Sequence, residues 1–145
     1  MTEAQHMYLF VYGSLRPAWR RTSSIGGAAM AKQALRQKAR HLGQARVGGE
    51  LFDLGRYPGL LLNDCRWVTG DLFLIHDDSL LRTLDRYEGC DAVSPRPHEY
   101  QRVDTQVEFN GQMFRHPVWV YESLFRPPGA EVVASGDWLK LQVQE

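Results

Sequence analysis

The sequence predicts an α+β domain built on a curled sheet or small barrel with a few helices outside it. Three observations carry that expectation. β-type segments outnumber helical ones, neighbouring β segments are joined by hairpin-like turns, and one strongly amphipathic helix interrupts them. The 145 residues are expected to form one domain over 1–145, with its core at about residues 7–138. Folding a chain of this size buries roughly 70% of its extended surface, so one hydrophobic core suffices without metal or disulfide staples.

The elements follow in order. Met7 to Tyr12 (MYLFVY) is an apolar, aromatic and β-branched run stopped by Gly13 and Ser14, which predicts a strand buried on both faces. Ala28 to Arg40 is rich in helix formers and predicts a helix, although alanine supplies most of its apolar positions. Val47 to Leu54 alternates as a strand, and the turn Tyr57-Pro58-Gly59 leads into Leu60-Leu61-Leu62. Arg66 to Ile75 is a further strand, whose interior Gly70 predicts a bulge or bend. A helix runs from Asp77 or Asp78 to Tyr87 or Glu88, with the aspartates as N-cap candidates and Gly89 as its terminator. Tyr100 to Phe109 alternates, Asn110-Gly111 signals a tight hairpin, and Gln112 to Tyr121 returns, with Pro117 forcing an edge or bulge. A short strand near Val132-Val133 and a turn at Ser135 to Trp138 complete the chain.

Composition excludes several classes. Hydrophobic residues at 43% and charged residues at 23% are globular values, not those of a disordered chain or coiled coil. Lys plus Arg is 17 and Asp plus Glu is 17, so no broad footprint for nucleic acid or an anionic membrane is present. Cys65 and Cys90 make neither a disulfide framework nor a zinc pattern, and the five histidines lack ligand spacing. No run approaches the ~20 apolar residues of a membrane helix, and MTEAQHMYLFVYGS lacks a basic leader, so the expected compartment is the cytoplasm. There is no GxGxxG and no Walker A loop.

Two places could carry chemistry. On the second helix, Leu80, Leu81, Leu84 and Tyr87 form the apolar stripe, and at ~100° per residue Glu88 falls between Leu81 and Leu84. A carboxylate aimed at the core has its pKa raised and is poised for proton transfer near neutrality. Were the helix to fray at Tyr87, Glu88 would be a solvated end residue. The second place is the bend Tyr12-Gly13-Ser14-Leu15-Arg16, where consecutive N–H groups can hold a carboxylate or a developing oxyanion. The same bend also reads as an ordinary strand ending. Tyr57 and Tyr121 stand at strand ends as pocket candidates or as buried tyrosines with one hydrogen bond. Lys32, Arg36, Lys38 and Arg40 make either a solvated helix face or an anion-binding one, and Cys90 has no local histidine partner.

An ordered set of short motifs adds to this. Val11-Tyr12-Gly13-Ser14-Leu15-Arg16 is followed by Gly49-Glu50-Leu51-Phe52-Asp53-Leu54-Gly55 and Tyr57-Pro58-Gly59-Leu60. Then come Val68-Thr69-Gly70-Asp71-Leu72-Phe73, Leu84-Asp85-Arg86-Tyr87-Glu88-Gly89, Tyr100-Gln101-Arg102, Val118-Trp119-Val120-Tyr121 and Ser135-Gly136-Asp137-Trp138. From about Tyr8 to Trp138 the chain resembles the gamma-glutamylcyclotransferase-like family, especially its small single-domain members, which include gamma-glutamylamine cyclotransferases.

The resemblance implies a small mixed β-barrel with helices outside it. It implies that Tyr12, Gly13, Ser14 and Leu15 hold a glutamyl group, that Glu88 is the catalytic acid and base, and that Tyr121 lines the pocket. The reaction it implies is cyclisation of a small-molecule γ-glutamyl amine or peptide to 5-oxoproline with release of the amine. This is intramolecular aminolysis of the lyase or acyltransferase type, and it requires no metal, cofactor, nucleic acid or membrane. The segment Trp19 to Arg40 is longer than the family's loop and reads as a pocket cap or a docking surface, and Cys90 to Glu99 is individual to this chain. The alternatives are a non-catalytic module that binds an amino acid or small carboxylate, and an interaction protein docking through the Thr22–Arg40 segment.

Overall fold

The structure is a computed structural model that describes residues 6–19 and 27–143. Its elements are β1 (Met7–Val11), α1 (Gly27–Lys38), β2 (Ala39–Asp53), β3 (Pro58–Ile75), α2 (Ser79–Tyr87), β4 (Tyr100–Thr105), β5 (Glu108–Phe109), β6 (Gln112–Met113), β7 (Val118–Ser123) and β8 (Glu131–Val132), closed by a 3-10 helix at Trp138–Val143. The strands form one sheet in the order β4-β7-β1-β3-β2-β5-β6, with β8 added to β2. Pairing is antiparallel except between β1 and β7, so the sheet is mixed. It curls strongly into a half-barrel, with the two helices packed on it.

β1 shows why both faces of the sheet are covered. Alternate side chains leave a strand on opposite sides. Tyr8 and Phe10 enter the inside of the curl with Val47, Leu60 and Leu72. Leu9 and Val11 face outward, where Leu35 of α1 and Leu80 and Leu84 of α2 seal them. The bend that follows β1 therefore emerges between two cores.

Several elements differ from the sequence reading. The first helix ends at Lys38 rather than Arg40, because Ala39 and Arg40 join the β2–β3 ladder opposite Ile75 and Leu74. Residues 20–26 of the Trp19 to Arg40 segment lie outside the described residues. On α1, the Lys32 ammonium donates to the Trp19 carbonyl and the Lys38 ammonium to Ser79 Oγ, so two of the four basic groups are tied to neighbouring structure. The two segments at Leu60 to Leu62 and Arg66 to Ile75 are one strand, in which the ladder jumps from Gly49↔Leu62 to Gly48↔Trp67.

Gly70 makes no bulge: the ladder passes through it opposite Ala45. A Cβ there would lie 2.3 Å from the Val11 carbonyl oxygen and 2.5 Å from the Phe10 ring. Close approach of another strand explains this glycine. The Asn110-Gly111 turn is present, with both residues at positive φ of 55° and 77°. Each arm of the hairpin is broken, however: β5 pairs with β6 at the turn, and β4 with β7 further out. Pro117 sits in the break, directly before β7.

Candidate functional site

α2 sets the first component. Asp77 Oδ1 accepts the Ser79 N–H at 3.0 Å, so Asp77 rather than Asp78 caps the helix. At the other end Gly89, at φ 71°, donates to the Arg86 carbonyl at 3.1 Å, and Cys90 donates to the Asp85 carbonyl at 2.9 Å. This paired C-terminal closure stops fraying. Glu88 keeps helical angles, φ −80° and ψ −5°, and its N–H reaches the Leu84 carbonyl at 2.8 Å. The side chain therefore stays on the apolar side of the helix.

Glu88 faces a cavity of about 280 Å³ that the bend after β1 also lines. Tyr12, Gly13, Ser14 and Leu15 form one wall, and Tyr57 and Tyr121 contribute to others, so the seven residues singled out from sequence share one cavity. The bend is closed by the Arg16 N–H donating to the Gly13 carbonyl at 3.0 Å. Gly13 is required by space: a Cβ would stand 2.8 Å from Pro58 Cγ. The Tyr12 hydroxyl donates to the Tyr121 carbonyl at 2.5 Å, and Ser14 is hydrogen-bonded to the Tyr87 hydroxyl.

The cavity's electrostatics are one-sided. Glu88 and Glu99 are the charged side chains of its lining; no Lys, Arg or His lines it among the described residues. Burial, and then the charge of Glu99, push the Glu88 carboxyl up to about 8. Among the described residues no hydrogen bond or ion pair offsets that burial. The Tyr57 hydroxyl donates to Glu99 at 2.8 Å and 3.1 Å, and burial with this contact pushes Tyr57 up to about 12. The Tyr121 hydroxyl donates to Asp85 Oδ1 at 2.7 Å, while Arg102 grips both Asp85 oxygens at 2.8 Å and 3.1 Å. That bidentate pair ties the last turn of α2 to β4 and leaves the Tyr121 ring facing the cavity.

Sequence reasoning missed Glu99, Tyr87 and Tyr100 as lining residues. Tyr87 stood in the apolar stripe, and Glu99 lies in a proline-rich stretch without periodicity. Reasoning also missed the function of Arg16. Its guanidinium is 2% exposed and donates to Asp71 Oδ2 at 2.7 Å and to Asp137 Oδ1 at 2.8 Å. Asp71 in turn contacts His41 Nε2 at 2.8 Å. Three of the quoted motifs thus converge on one buried knot directly behind the bend.

Other groups offer less. Burial, with Asp85 nearby, pushes the Cys90 thiol up to about 11, away from thiolate reactivity. Among the described residues no group of three His, Cys, Asp or Glu side chains could hold a metal ion. No helix among them is long and apolar enough to cross a membrane.

Comparison with known proteins adds to this geometry. YkqA from Bacillus subtilis superposes with a TM-score of 0.67 at 23% identity, over 96% of this chain and 42% of YkqA. The chain therefore spans less than half of that protein's length. An AIG2-like protein from Mus musculus gives a TM-score of 0.64 at 24% identity, over 86% of this chain and 82% of the mouse protein. YtfP from Escherichia coli gives 0.61 at 27% identity, over 94% of this chain and 99% of YtfP. No curated protein sequence matches. The family described as gamma-glutamyl cyclotransferase, AIG2-like, matches residues 9–140, which include both the bend and the end of α2. By that match, the chain belongs to the gamma-glutamyl cyclotransferase, AIG2-like family.

Proposed function

We propose that this protein cyclises a γ-glutamyl amine or peptide to 5-oxoproline, releasing the free amine, with Glu88 as general base and then general acid. The observation that carries this reading is a carboxyl group with no offsetting partner among the described residues, in the cavity that the Tyr12–Leu15 bend lines. Family membership supports it.

The chemistry follows from the groups present. Glu88, deprotonated, takes a proton from the substrate's α-ammonium. The freed nitrogen attacks the side-chain carbonyl carbon five ring atoms round, and the carbonyl electrons move to oxygen. Glu88 returns its proton to the leaving nitrogen as the carbon–nitrogen bond breaks and the carbonyl re-forms. The second proton of the ring nitrogen passes to the departing amine, which leaves as an ammonium ion. Nucleophile and electrophile belong to one molecule, so holding the folded conformer can supply an effective molarity of about 10⁵–10⁸ M. N–H groups of the bend hold the α-carboxylate or the carbonyl oxygen, and the tyrosines exclude water. Because Glu88 must start as a carboxylate, turnover rises as pH climbs through about 8.

The test is 5-oxoproline release from a panel of γ-glutamyl amines and peptides by the wild type and by Glu88→Gln. Release by the wild type alone supports the reading. Full activity in the variant removes Glu88 from it, and saturable binding with no product across the panel makes the pocket a binding module instead.

A further inference from the structure

The sequence left the leaving amine open, and the cavity's charge bears on it. Glu88 and Glu99 line the same cavity and repel one another. Glu99 is held at a fixed place by the Tyr57 hydroxyl, which donates to both of its oxygens. The Tyr57 side of the cavity is also its open side, since Tyr57 is 38% exposed. In the cyclisation reading, a glutamyl group seated on the bend with its reacting carbonyl beside Glu88 would leave the exposed Tyr57 side of the cavity for its leaving portion. Among the described lining residues, no cation is available there to receive a carboxylate.

We propose that Glu99 is a specificity-determining residue: it selects γ-glutamyl amides whose leaving amine carries a second positive charge, and it rejects those whose leaving portion carries a carboxylate. This rests on the cyclisation reading given above. A cation at the mouth pairs with Glu99 and relieves the repulsion between the two carboxylates, whereas an anion adds a third negative charge to a partly desolvated space. Glu88 alone does not account for such selection, because in this reading it has to exchange protons with the reacting nitrogens. The two carboxylates therefore divide the work, one on the reacting bond and one on the charge beyond it.

The experiment uses three substrates of matched carbon count: the γ-glutamyl amides of 1,4-diaminobutane, n-butylamine and 4-aminobutyrate. They share a four-carbon chain and end in a cation, a methyl group and an anion. 5-Oxoproline release is measured for each at one pH. The expected order of kcat/KM is cation, neutral, anion, with about tenfold between successive members. In Glu99→Gln the cation-to-neutral ratio falls to near one. Taking ratios at fixed pH cancels any change in Glu88 ionisation, which all three substrates feel alike. Tyr57→Phe serves as the second variant: it removes the hydrogen bonds but keeps the charge, so the preference persists.

Equal kcat/KM for the three, or an unchanged ratio in Glu99→Gln, overturns the proposal while leaving cyclisation intact. Absence of product from all three with the wild type counts against cyclisation itself. In that case NMR titration with the three intact amides decides the charge preference separately: tighter binding of the cationic amide, lost in Glu99→Gln, upholds the role of Glu99, and equal binding overturns it.

Discussion

Two charged clusters lie on either side of the bend after β1, and they have opposite characters. Behind the bend, Arg16 is enclosed but fully engaged, with Asp71 and Asp137 on its guanidinium. In front of it, Glu88 is enclosed with no offsetting cation or hydrogen bond among the described residues, and a second carboxylate faces it across the cavity. Burying a charge is costly unless it is paired. The knot meets that cost by pairing; the pocket leaves it standing as a raised carboxyl pKa. A paired cluster fixes a backbone, and an unpaired one retains reactivity. The bend joins the two, so under the proposed function rigidity on one face would serve chemistry on the other.

The largest effect that sharpens this contrast is on the reactive side. Glu88→Gln is expected to lower 5-oxoproline release by about 10²–10⁴-fold, read by product assay, while the circular dichroism spectrum is unchanged. On the paired side, Arg16→Met leaves two aspartates enclosed without their cation. Denaturant unfolding is expected to show a loss of about 3–5 kcal/mol. If that variant is as stable as the wild type, the knot does not hold the bend.

A smaller effect is expected where the clusters meet. Gly13→Ala sets a methyl group against Pro58 and is expected to cost about 1–3 kcal/mol in the same unfolding assay. Under the proposed cyclisation it also displaces the wall that would hold substrate, so KM is expected to rise more than kcat falls.

The most gradual effect, spread over several pH units, is in pH dependence. The folded-state pKa of Glu88 is raised to about 8, against about 4.3 for an unperturbed glutamate. The protonated form is favoured in the fold. Its contribution to stability is therefore whole below about pH 4.3 and is lost as pH rises through about 8. Over that window the wild type is expected to lose stability relative to Glu88→Gln, by at most about 1.4 kcal/mol per pH unit. A difference between the two that stays constant with pH contradicts the enclosed state of Glu88.

The two clusters were unequally legible in the sequence. Glu88 was found because helical periodicity is local: its direction follows from Leu80, Leu81 and Leu84 a turn or two away. The bend was found because a buried strand halted at Gly13 and Ser14. The knot was invisible as a contact, since Arg16 meets partners 55 and 121 residues distant and only the fold brings them together. Glu99 had no signal for a similar reason, standing opposite Glu88 only because β4 and α2 converge. Gly70 signals something unusual in a strand, but not the bulge that was one of its two expected readings: an interior glycine also marks close approach, and that depends on what lies across the sheet. Ala39 and Arg40 read as helix from their propensity alone, but pairing with β3 outweighs it and makes them strand.

Titration of the Glu88 carboxyl carbon by ¹³C NMR, with Glu88→Gln assigning the resonance, reads the unpaired charge itself. The expected midpoint is about 8. A midpoint near the ordinary value of about 4.3 would mean a solvated or compensated carboxylate, and would contradict the account.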